Sequence, residues 1–444
     1  MPARLLLLLA SLPATASAQQ LTAFTHVRLI DGRGGAPIAD ATVVVRGDRI
    51  TAAGAASQVS TPAGARVIDG RGMSLMPGLA DMHTHLSGGW DGETADWLGG
   101  RVTMNALLYN GITSAFDPGD VTSYVRQLRE EVRAGRLAGP RIFFTGPVLD
   151  GATPQWPDIS QPLTTPEQAS FFVRQMKSAG AVFIKAYGGL TTEMVKVLVD
   201  AAARDSMRVI ADVGQRNGSL AVAQTGIAIY AHTGTSAMTD EAIRYMADHH
   251  TATITTLAVY ESLSRRRFKE MSFLQQPLIK DVMSPTYMSQ VTAWGLKPPT
   301  AQESRLMAFY STALTTAARN VKRMLDAGIL VVAGTDAPWP GQYYGEGLHR
   351  ELELLVEAGL TPLEVITLAT RNAARLVNAE SEWGTVEPGK VADLLLVRGD
   401  PSTQIGDSRN IVQLMQGGKL IDRASLRYDP KRDPDYHPVD LRPH

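Results

Sequence analysis

Short apolar runs alternate with helical stretches between about residues 77 and 378, and this alternation limits the possible folds most strongly. "SYVRQLREEVRAG" and "NVKRMLDAG" are typical of the helical stretches. The expected strands are one ending at His85 and those at 114–119, 141–149, 181–187, 208–214, 227–234, 251–259 and 329–338. Eight strand–helix units in roughly 300 residues predict a (β/α)8 barrel of the α/β class, because such barrels need ~250 residues plus insertions.

The two ends of the chain share a different, β-rich pattern. "FTHVRLIDGRGGAPIADATVVVRGDRITAAG" alternates valine, isoleucine and threonine with Asp-Gly, Gly-Gly and Gly-Asp turns, and "WGTVEPGKVADLLLVRGDP" and "IVQLMQGGKLID" resume it. Such runs predict strands joined by tight turns. We therefore expect one small sheet domain built from residues 19–76 and 384–444, with the barrel at 77–383.

The first residues, "MPARLLLLLASLPATASAQQ", have the pattern of a secretory signal peptide at residues 1–18. Arg4 supplies the positive start, Leu5 to Leu12 the apolar segment, and Ala16-Ser17-Ala18 an A-x-A cleavage site. The apolar segment is too short to span a bilayer core of ~30 Å. We expect cleavage after Ala18 and a secreted or periplasmic product with no membrane segment in its mature form.

The composition limits the kinds of binding partner and the kinds of catalytic group that we expect. The 444 residues carry a formal net charge of -1, which gives no electrostatic footprint for nucleic acid or anionic lipid. The absence of cysteine excludes disulfides, thiolate metal ligands and a cysteine nucleophile. We expect a small-molecule substrate, and the sequence is compatible with a homo-oligomer.

Polar side chains stand where the expected barrel strands end, which is where barrel enzymes carry their catalytic groups. His83 and His85 end the first strand, and the later strands add Lys185, Asp212, His232 and Asp336. Imidazole and carboxylate groups gathered in this way suit a divalent metal such as Zn²⁺. The pattern predicts a metal site at the carboxyl end of the barrel.

The ordered phrases of the sequence resemble those of the metal-dependent amidohydrolase superfamily, near its imidazolonepropionase-like and prolidase-like members. The matching phrases are "MPGLADMHTHL", "FIKAYGGL", "IYAHTG", "AGTDAP", "LHRELELLVEAGLTPLEVITLATRNAARL" and "GTVEPGKVADLLLV". The resemblance covers nearly all of the expected mature chain. It implies a distorted (β/α)8 barrel with a β-sandwich from both chain ends, and hydrolysis of amide-type bonds.

The resemblance also implies a role for each matching residue. His83 and His85 would bind a first metal, and His232 a second. Lys185 would be carboxylated by CO₂ to a carbamate that bridges the two ions. Asp336 would bind the first metal and accept the proton of the attacking water, whose pKa a metal lowers from 15.7 toward ~7.

Asp212 departs from the family pattern, because relatives carry a histidine at the end of this strand. Aspartate also ligates Zn²⁺, at ~2.0–2.2 Å, so we expect Asp212 to be a ligand. Aspartate is shorter than histidine and offers a harder oxygen donor. The number of bound metal ions, one or two, is therefore open, and the preference of the site shifts toward Mn²⁺ or Mg²⁺.

We therefore expect a hydrolase in which metal-activated water cleaves the amide C–N bond of a dipeptide or N-acyl amino acid. One alternative is a cyclic amide, of the lactam or imidazolone type. Another is a metal-binding barrel with little catalytic activity, since Asp212 replaces the usual histidine.

Three further features bear on substrate recognition. Tyr187 lies two residues beyond Lys185, and His349 lies just past the last expected strand, so both are candidates for substrate contact. The stretch 261–312 is longer than a crossover needs, and we expect an insertion that covers the mouth of the barrel.

Overall fold

Eight short parallel strands form the barrel in the structure, a computed structural model that describes residues 20–212 and 218–440. The expected signal peptide lies outside the described residues. Barrel strands 1 to 8, in chain order, are Leu79–Asp81, Ile112–Asp117, Arg141–Phe144, Ile184–Ala186, Val209–Ala211, Ile229–Tyr230, Ala252–Ile254 and Val331–Val332. Six of them fall within an expected strand. The strand Ile112–Asp117 begins two residues before the expected 114–119, and the first strand ends at Asp81, four residues before the expected end at His85. The predicted barrel is confirmed.

Backbone hydrogen bonds close the circle of strands. Parallel pairing joins barrel strand 1 to 2, 2 to 3, and then 4 through 8 in order. Between strands 3 and 4, the Val182 N–H donates to the Phe144 carbonyl at 2.9 Å. Between strands 1 and 8, the Met82 N–H donates to the Ala333 carbonyl at 3.1 Å.

Apolar side chains pack inside the barrel and leave its carboxyl end for polar groups. Phe116 and Phe183 meet edge to face, with ring centroids 5.5 Å apart, in a buried cluster that draws on most of the strands. The helix Arg371–Leu376 joins this cluster, and Asn372 donates to the Val331 carbonyl at the start of barrel strand 8. The amino end of the barrel is therefore closed by packing.

The helices lie between and after the strands and show ordinary capping. They are Gly100–Tyr109, Thr122–Arg133, Pro166–Ala179, Thr192–Arg204, Ser219–Ala223, Asp240–Asp248, Leu257–Leu263, Pro277–Lys280, Pro285–Leu296, Ala301–Asp326, Glu346–Glu357, Pro362–Leu368 and Arg371–Leu376. Thr300 and Glu303 form a capping box at the start of the longest helix, satisfying N–H groups that the first turn leaves unpaired. None of the described helices has the length and apolarity needed to cross a bilayer.

The connection between barrel strands 3 and 4 differs from the sequence expectation. The apolar run 141–149 forms two strands, because Val148–Asp150 breaks away to pair in parallel with Ser160–Pro162 and with Ala186. A single turn of 3-10 helix, Pro157–Ile159, leads into the added strand. This excursion carries Trp156 to the mouth of the barrel.

Both chain ends contribute to a second, mixed sheet with its own apolar core, which fits the expected sandwich. Its strand order is Lys419–Ile421, Ile411–Gln416, Leu394–Arg398, Met73–Pro77, Leu21–Leu29, Ile38–Arg46 and Arg49–Ala55. The first strand of the chain also pairs with Arg66–Asp69, so two strands share its second edge. Antiparallel pairing of Met73–Pro77 with Leu394–Arg398 joins the two ends.

The stretch 261–312 consists mostly of short helices and the exposed start of the helix Ala301–Asp326. It packs beside the mouth of the barrel: the Trp90 indole N–H donates to Gln290 at 2.8 Å, and Phe268 packs against Trp294. Tyr310, from the long helix, lines a cavity that also reaches Asp336. The insertion therefore contributes to one side of the mouth.

Candidate metal centre

The segment that carries His83 and His85 is irregular backbone held by buried hydrogen bonds. Barrel strand 1 ends at Asp81, two residues before His83, so the alternation of a strand does not set the directions of the two imidazoles. The Asp81 carboxylate accepts from the His83 N–H at 3.2 Å and from the Thr335 hydroxyl at 2.8 Å. Asp81 thus ties the turn after strand 1 to the turn after strand 8, and burial raises its pKa to about 7.

Asp336 lies at the centre of this junction. Its N–H donates to the His83 carbonyl at 2.6 Å, and its backbone adopts the left-handed region with φ 66°. A non-glycine residue in this region is uncommon, although aspartate tolerates it better than most, and such residues cluster at functional sites. The Oδ1 atom of Asp336 lies 3.2 Å from Nε2 of both His83 and His85.

The surroundings of the two histidines set their protonation. Burial lowers the pKa of His83 to about 3, so this ring is neutral near pH 7. Burial also opposes the charged form of His85, but the hydrogen bond to Asp336 and its charge outweigh it and raise the pKa of His85 to about 9. Burial alone would raise the pKa of Asp336, yet the neighbouring histidines hold it well below its usual range. Asp336 is therefore ionised.

A carbonyl group fixes the orientation of His85. Its Nδ1 lies 2.8 Å from the Gly119 carbonyl, which can only accept, so Nδ1 carries a proton and Nε2 faces Asp336. The Asp117 carboxylate holds that turn in place by accepting from the N–H groups of Gly119 and Leu86. The sequence reasoning missed Asp117; its place at the end of barrel strand 2, in "FDPG", was the available signal.

A second pair of side chains stands beside the first group. His232 follows barrel strand 6, and its Nε2 lies 3.2 Å from Oδ2 of Asp212, which follows strand 5. Its ring is tilted over that of His83, with centroids 4.7 Å apart, so the two groups are neighbours. Burial would raise the pKa of Asp212, but the charge and hydrogen bond of His232, with the charge of Lys185, lower it below its usual value.

Lys185 lies within barrel strand 4 and is 2% exposed. Burial lowers its pKa, although the nearby carboxylates of Asp212 and Asp336 oppose this effect. A buried lysine of this kind is more often a free amine than an exposed one is. Its side chain lines the same cavity as the five histidine and aspartate side chains of the predicted site.

The donor set matches a divalent metal of the zinc type. Ligand atoms of His83, His85 and Asp336 all lie within 4.8 Å of one another, with two imidazole nitrogens and one carboxylate oxygen. Zn²⁺ takes such donors at ~2.0–2.2 Å. His232 and Asp212 offer a further nitrogen and oxygen next to them, so the residues present fit one ion and leave donors for a second.

All six predicted site residues line one cavity of 280 Å³ at the carboxyl end of the barrel. Tyr187 lines it too. The opposite wall is largely apolar and includes Val148, Trp156, Pro157, Ile159, Pro338 and Trp339. An adjoining cavity of 250 Å³ shares part of this lining and extends to Tyr260 and Tyr310.

A model of the amidohydrolase family matches residues 74–421, which is most of the chain. The chain belongs to the amidohydrolase family. The match begins in the sheet domain, in the strand Met73–Pro77, runs through the whole barrel of this amidohydrolase and ends in the sheet domain again, at the strand Lys419–Ile421.

The relatives of this amidohydrolase are distant or matched in part. An imidazolonepropionase of Geobacillus sp. is 38% identical over 84 residues, which are 19% of this chain and 20% of that protein. The first curated relatives are all matched over about a fifth to a quarter of their own length. An imidazolonepropionase of Rubrobacter xylanophilus is 25% identical over 373 residues, covering 80% of this chain and 84% of that protein.

Among solved structures, a Xaa-Pro dipeptidase with methionine bound in its active site is similar in fold. Its TM-score is 0.71 at 21% sequence identity, over 91% of this chain and 100% of that chain. At this identity the likeness shows the fold of this amidohydrolase and leaves its substrate open.

The expectation for His349 needs correction. Its side chain is buried away from the cavity of this amidohydrolase, with Nδ1 2.9 Å from the Ser408 hydroxyl and Nε2 2.9 Å from the Asn110 carbonyl. Both ring nitrogens are therefore occupied, between the barrel and the C-terminal part of the sheet domain. Nearness to strand 8 in sequence suggested a site residue, but the first turn of the helix Glu346–Glu357 directs the ring elsewhere.

Proposed function

We propose that this amidohydrolase uses a bound divalent cation to hydrolyse the C–N bond of a small amide. The convergence of His83, His85 and Asp336 on a common point, in the cavity that Lys185 also lines, is the observation that carries the proposal. Membership of the amidohydrolase family supports it.

The cation and the side chains of the protein would have different roles in the reaction. A bound cation supplies Lewis acidity, which polarises a carbonyl group and lowers the pKa of water. His83, His85 and Asp336 would hold one ion, and His232 with Asp212 would hold another.

Asp336 is suited to proton transfer because it is ionised and lies at the wall of the cavity. Its carboxylate accepts the proton that water loses as the water oxygen bonds to the carbonyl carbon. It then delivers that proton to the nitrogen as the C–N bond breaks, so the products are a carboxylic acid and an amine.

We propose that Lys185 is present as a carbamate, formed when its neutral amine adds to CO₂ and releases a proton. Its burial and lowered pKa support this reaction. Growth or reconstitution with isotopically labelled bicarbonate should give a carbamate carbon resonance that Lys185→Ala lacks. Equal signals in the two proteins would contradict the proposal.

The sequence predicts a dipeptide or N-acyl amino acid as substrate, and one solved structure of similar fold is a Xaa-Pro dipeptidase. The alternative, a cyclic amide, is favoured by the imidazolonepropionase relative that spans 80% of the chain. Rates on N-acyl amino acids, dipeptides, lactams and imidazolone-type rings would separate the two.

The test of the general proposal is metal dependence. The purified chain would be stripped with chelator, reloaded with Zn²⁺, Mn²⁺ or Mg²⁺, and assayed on a broad panel of amides with Asp336→Asn as the inactive control. We expect activity to disappear on stripping and return with metal. Full activity in the stripped protein would refute the proposal, and no turnover by loaded protein would favour the metal-binding barrel with little activity.

We also propose export, with cleavage after Ala18. The expected signal peptide supports it. N-terminal sequencing of protein recovered from a secreting or periplasmic fraction should give Gln19 as the first residue, and recovery of Met1 in the cytoplasm would contradict it.

A further inference from the structure

Two tryptophans form a corner in the wall opposite the predicted metal ligands. Trp156 comes from the excursion between barrel strands 3 and 4, and Trp339 follows barrel strand 8. Their ring centroids are 6.5 Å apart and their planes meet at 73°. Both side chains are half-buried, so ring surface remains open to the cavity. A flat ring placed in this corner would stack on one indole and meet the other edge to face, the two geometries that aromatic pairs prefer.

Hydrogen bonds and close packing fix the positions of the two tryptophans. The Trp156 indole N–H donates to the Tyr187 hydroxyl at 2.9 Å. The backbone of Trp339 exchanges hydrogen bonds with Gln342, at 3.2 and 2.8 Å. Gly92 lies so close that a Cβ there would stand 2.6 Å from the Trp339 ring, which only a glycine avoids. The rings are therefore positioned before a substrate arrives, which lowers the entropy lost on binding.

The same walls offer little to an anionic group. Among the described residues that line the two cavities, Lys185 is the single lysine or arginine, and it is buried beside the predicted metal ligands. The charged residues farther from those ligands are acidic, namely Glu93, Asp150 and Asp158. Away from the predicted metal ligands, a free carboxylate on the substrate would therefore meet carboxylates and indole faces among the described residues of these walls.

We infer that this amidohydrolase acts on neutral amides that carry an aromatic ring next to the scissile C–N bond, with the ring seated against Trp156 and Trp339. The inference rests on the proposed function, because it concerns the same cavity. Within the amides of the proposed function, it favours neutral aromatic amides over dipeptides and N-acyl amino acids, whose free carboxylate finds few cationic partners among the described lining residues.

Matched substrates test the inference. Acetanilide and N-methylbenzamide place a phenyl ring on either side of the bond, para-acetamidobenzoate adds a carboxylate, and N-cyclohexylacetamide removes the aromaticity. We expect kcat/KM for the better of the two neutral aromatic amides to exceed that of the carboxylate and cyclohexyl compounds by about tenfold or more. Equal or higher kcat/KM for either comparison compound would overturn the inference.

Substitutions of Trp156 and Trp339 provide a second test of the inference. Trp339→Leu should lower kcat/KM for the aromatic amide about tenfold and leave the cyclohexyl amide within about threefold, whereas Trp339→Phe should keep most of the preference. Trp97→Leu is the matched control, because Trp97 is exposed and lies outside the cavity lining. An aromatic preference that survives Trp339→Leu and Trp156→Leu alike would overturn the inference.

A binding experiment distinguishes failure of this inference from failure of the proposed function. Calorimetric titration of the metal-loaded protein with benzamide, and with benzoate and cyclohexanecarboxamide for comparison, needs no turnover. If benzamide binds most tightly and Trp339→Leu abolishes the difference, the aromatic binding site stands even where no amide is hydrolysed and the proposed function falls. If no preference for benzamide is seen while other amides are hydrolysed, the proposed function stands and the inference falls.

Discussion

His232 and Asp212 form a close pair, with Nε2 of the imidazole 3.2 Å from Oδ2 of the carboxylate. The two residues follow neighbouring strands of the barrel, and their side chains are 17% and 19% exposed. The aspartate therefore occupies the place in which the family resemblance led us to expect a histidine, and its oxygen reaches the neighbouring imidazole. The pair can be tested as a ligand set.

Replacing Asp212 should change metal binding. We expect Asp212→Ala to lose at least about tenfold in affinity for the more weakly held metal, because an anionic donor is removed, and Asp212→His to retain binding with a shift toward Zn²⁺. Metal content after dialysis and competition titration would measure both. Asp200→Ala is the control, because Asp200 pairs with Lys196 on the surface. Unchanged stoichiometry and affinity in Asp212→Ala would show that Asp212 is not a ligand.

Thr256 should act through His232. Its hydroxyl oxygen is buried 2.7 Å from Nδ1 of the imidazole, which leaves Nε2 directed at Asp212. Partners of this kind typically contribute 10–100-fold to metal affinity or activity. Thr256→Val should therefore weaken metal affinity by about tenfold or more, whereas Thr256→Ser should keep it. Equal affinities in the valine and serine variants would assign Thr256 a packing role only.

The barrel could be predicted from the sequence because each strand is a local apolar run bounded by turn residues. The six predicted site residues also meet in one cavity, because they stand at the carboxyl ends of strands in a closed barrel. The direction of a side chain on a helix is harder to predict: His349 lies just past the last barrel strand in sequence, but its ring turns toward Asn110.

The tryptophan corner was not predicted, for a related reason. Trp156 reaches the cavity only because residues 148–150 leave barrel strand 3 and pair with Ser160–Pro162, and a non-local pairing of short strands leaves no periodic signal in the sequence. The hydrogen bonds of Asp81 and Asp117 with the turns around the site are equally non-local. Patterns within a window of residues do not reveal such contacts.

Glu346 should stabilise the fold in a pH-dependent manner. It is fully buried, with its Oε1 2.9 Å from Arg267 and 2.8 Å from Arg409. Burial opposes its ionisation, but the two arginines outweigh this and lower its pKa from 4.5 to about 2. As the pH falls, the carboxylate of Glu346 therefore takes up its proton at a higher pH in the unfolded chain than in the folded protein. The stabilisation is complete above pH 4.5 and is lost as the pH falls toward 2.

The shift corresponds to about 3 kcal/mol in the free energy of unfolding. Glu346→Gln should destabilise the protein by about 3–5 kcal/mol at neutral pH, because the buried Arg267 loses its carboxylate partner and Arg409 keeps only Glu353. The variant should also show a weaker loss of stability as the pH falls from 4.5 toward 2. Denaturant unfolding across this pH range measures both effects. Asp326→Asn, at an exposed pair with Lys322, is the control, with an expected change of at most about 1 kcal/mol. Equal losses in the two variants would contradict the assignment.

His349 should matter for stability and not for substrate. Burial lowers its pKa from 6.5 to about 4, so the unfolded chain takes up the proton first and stability declines as pH falls from 6.5 to 4. His349→Gln should reduce this decline and cost about 1–2 kcal/mol, while KM stays within about twofold. Tyr187→Phe, within the cavity, should raise KM by about threefold or more. A large KM change in His349→Gln at unchanged stability would restore the expectation of substrate contact.

Asp336→Asn should separate metal binding from proton transfer. The amide keeps the size of the side chain and one oxygen donor, but it has no charge and cannot accept the proton of the attacking water. General acid–base groups typically contribute about 10²–10⁴-fold, so kcat should fall by at least about 100-fold, and metal affinity should fall as well. Assays at saturating metal distinguish the two effects, because added metal restores occupancy and not the lost base. The thermal midpoint, compared with wild type, controls for unfolding around the strained backbone at this position. Recovery of most of kcat at saturating metal would show that Asp336 serves as a ligand alone and that another group takes the proton.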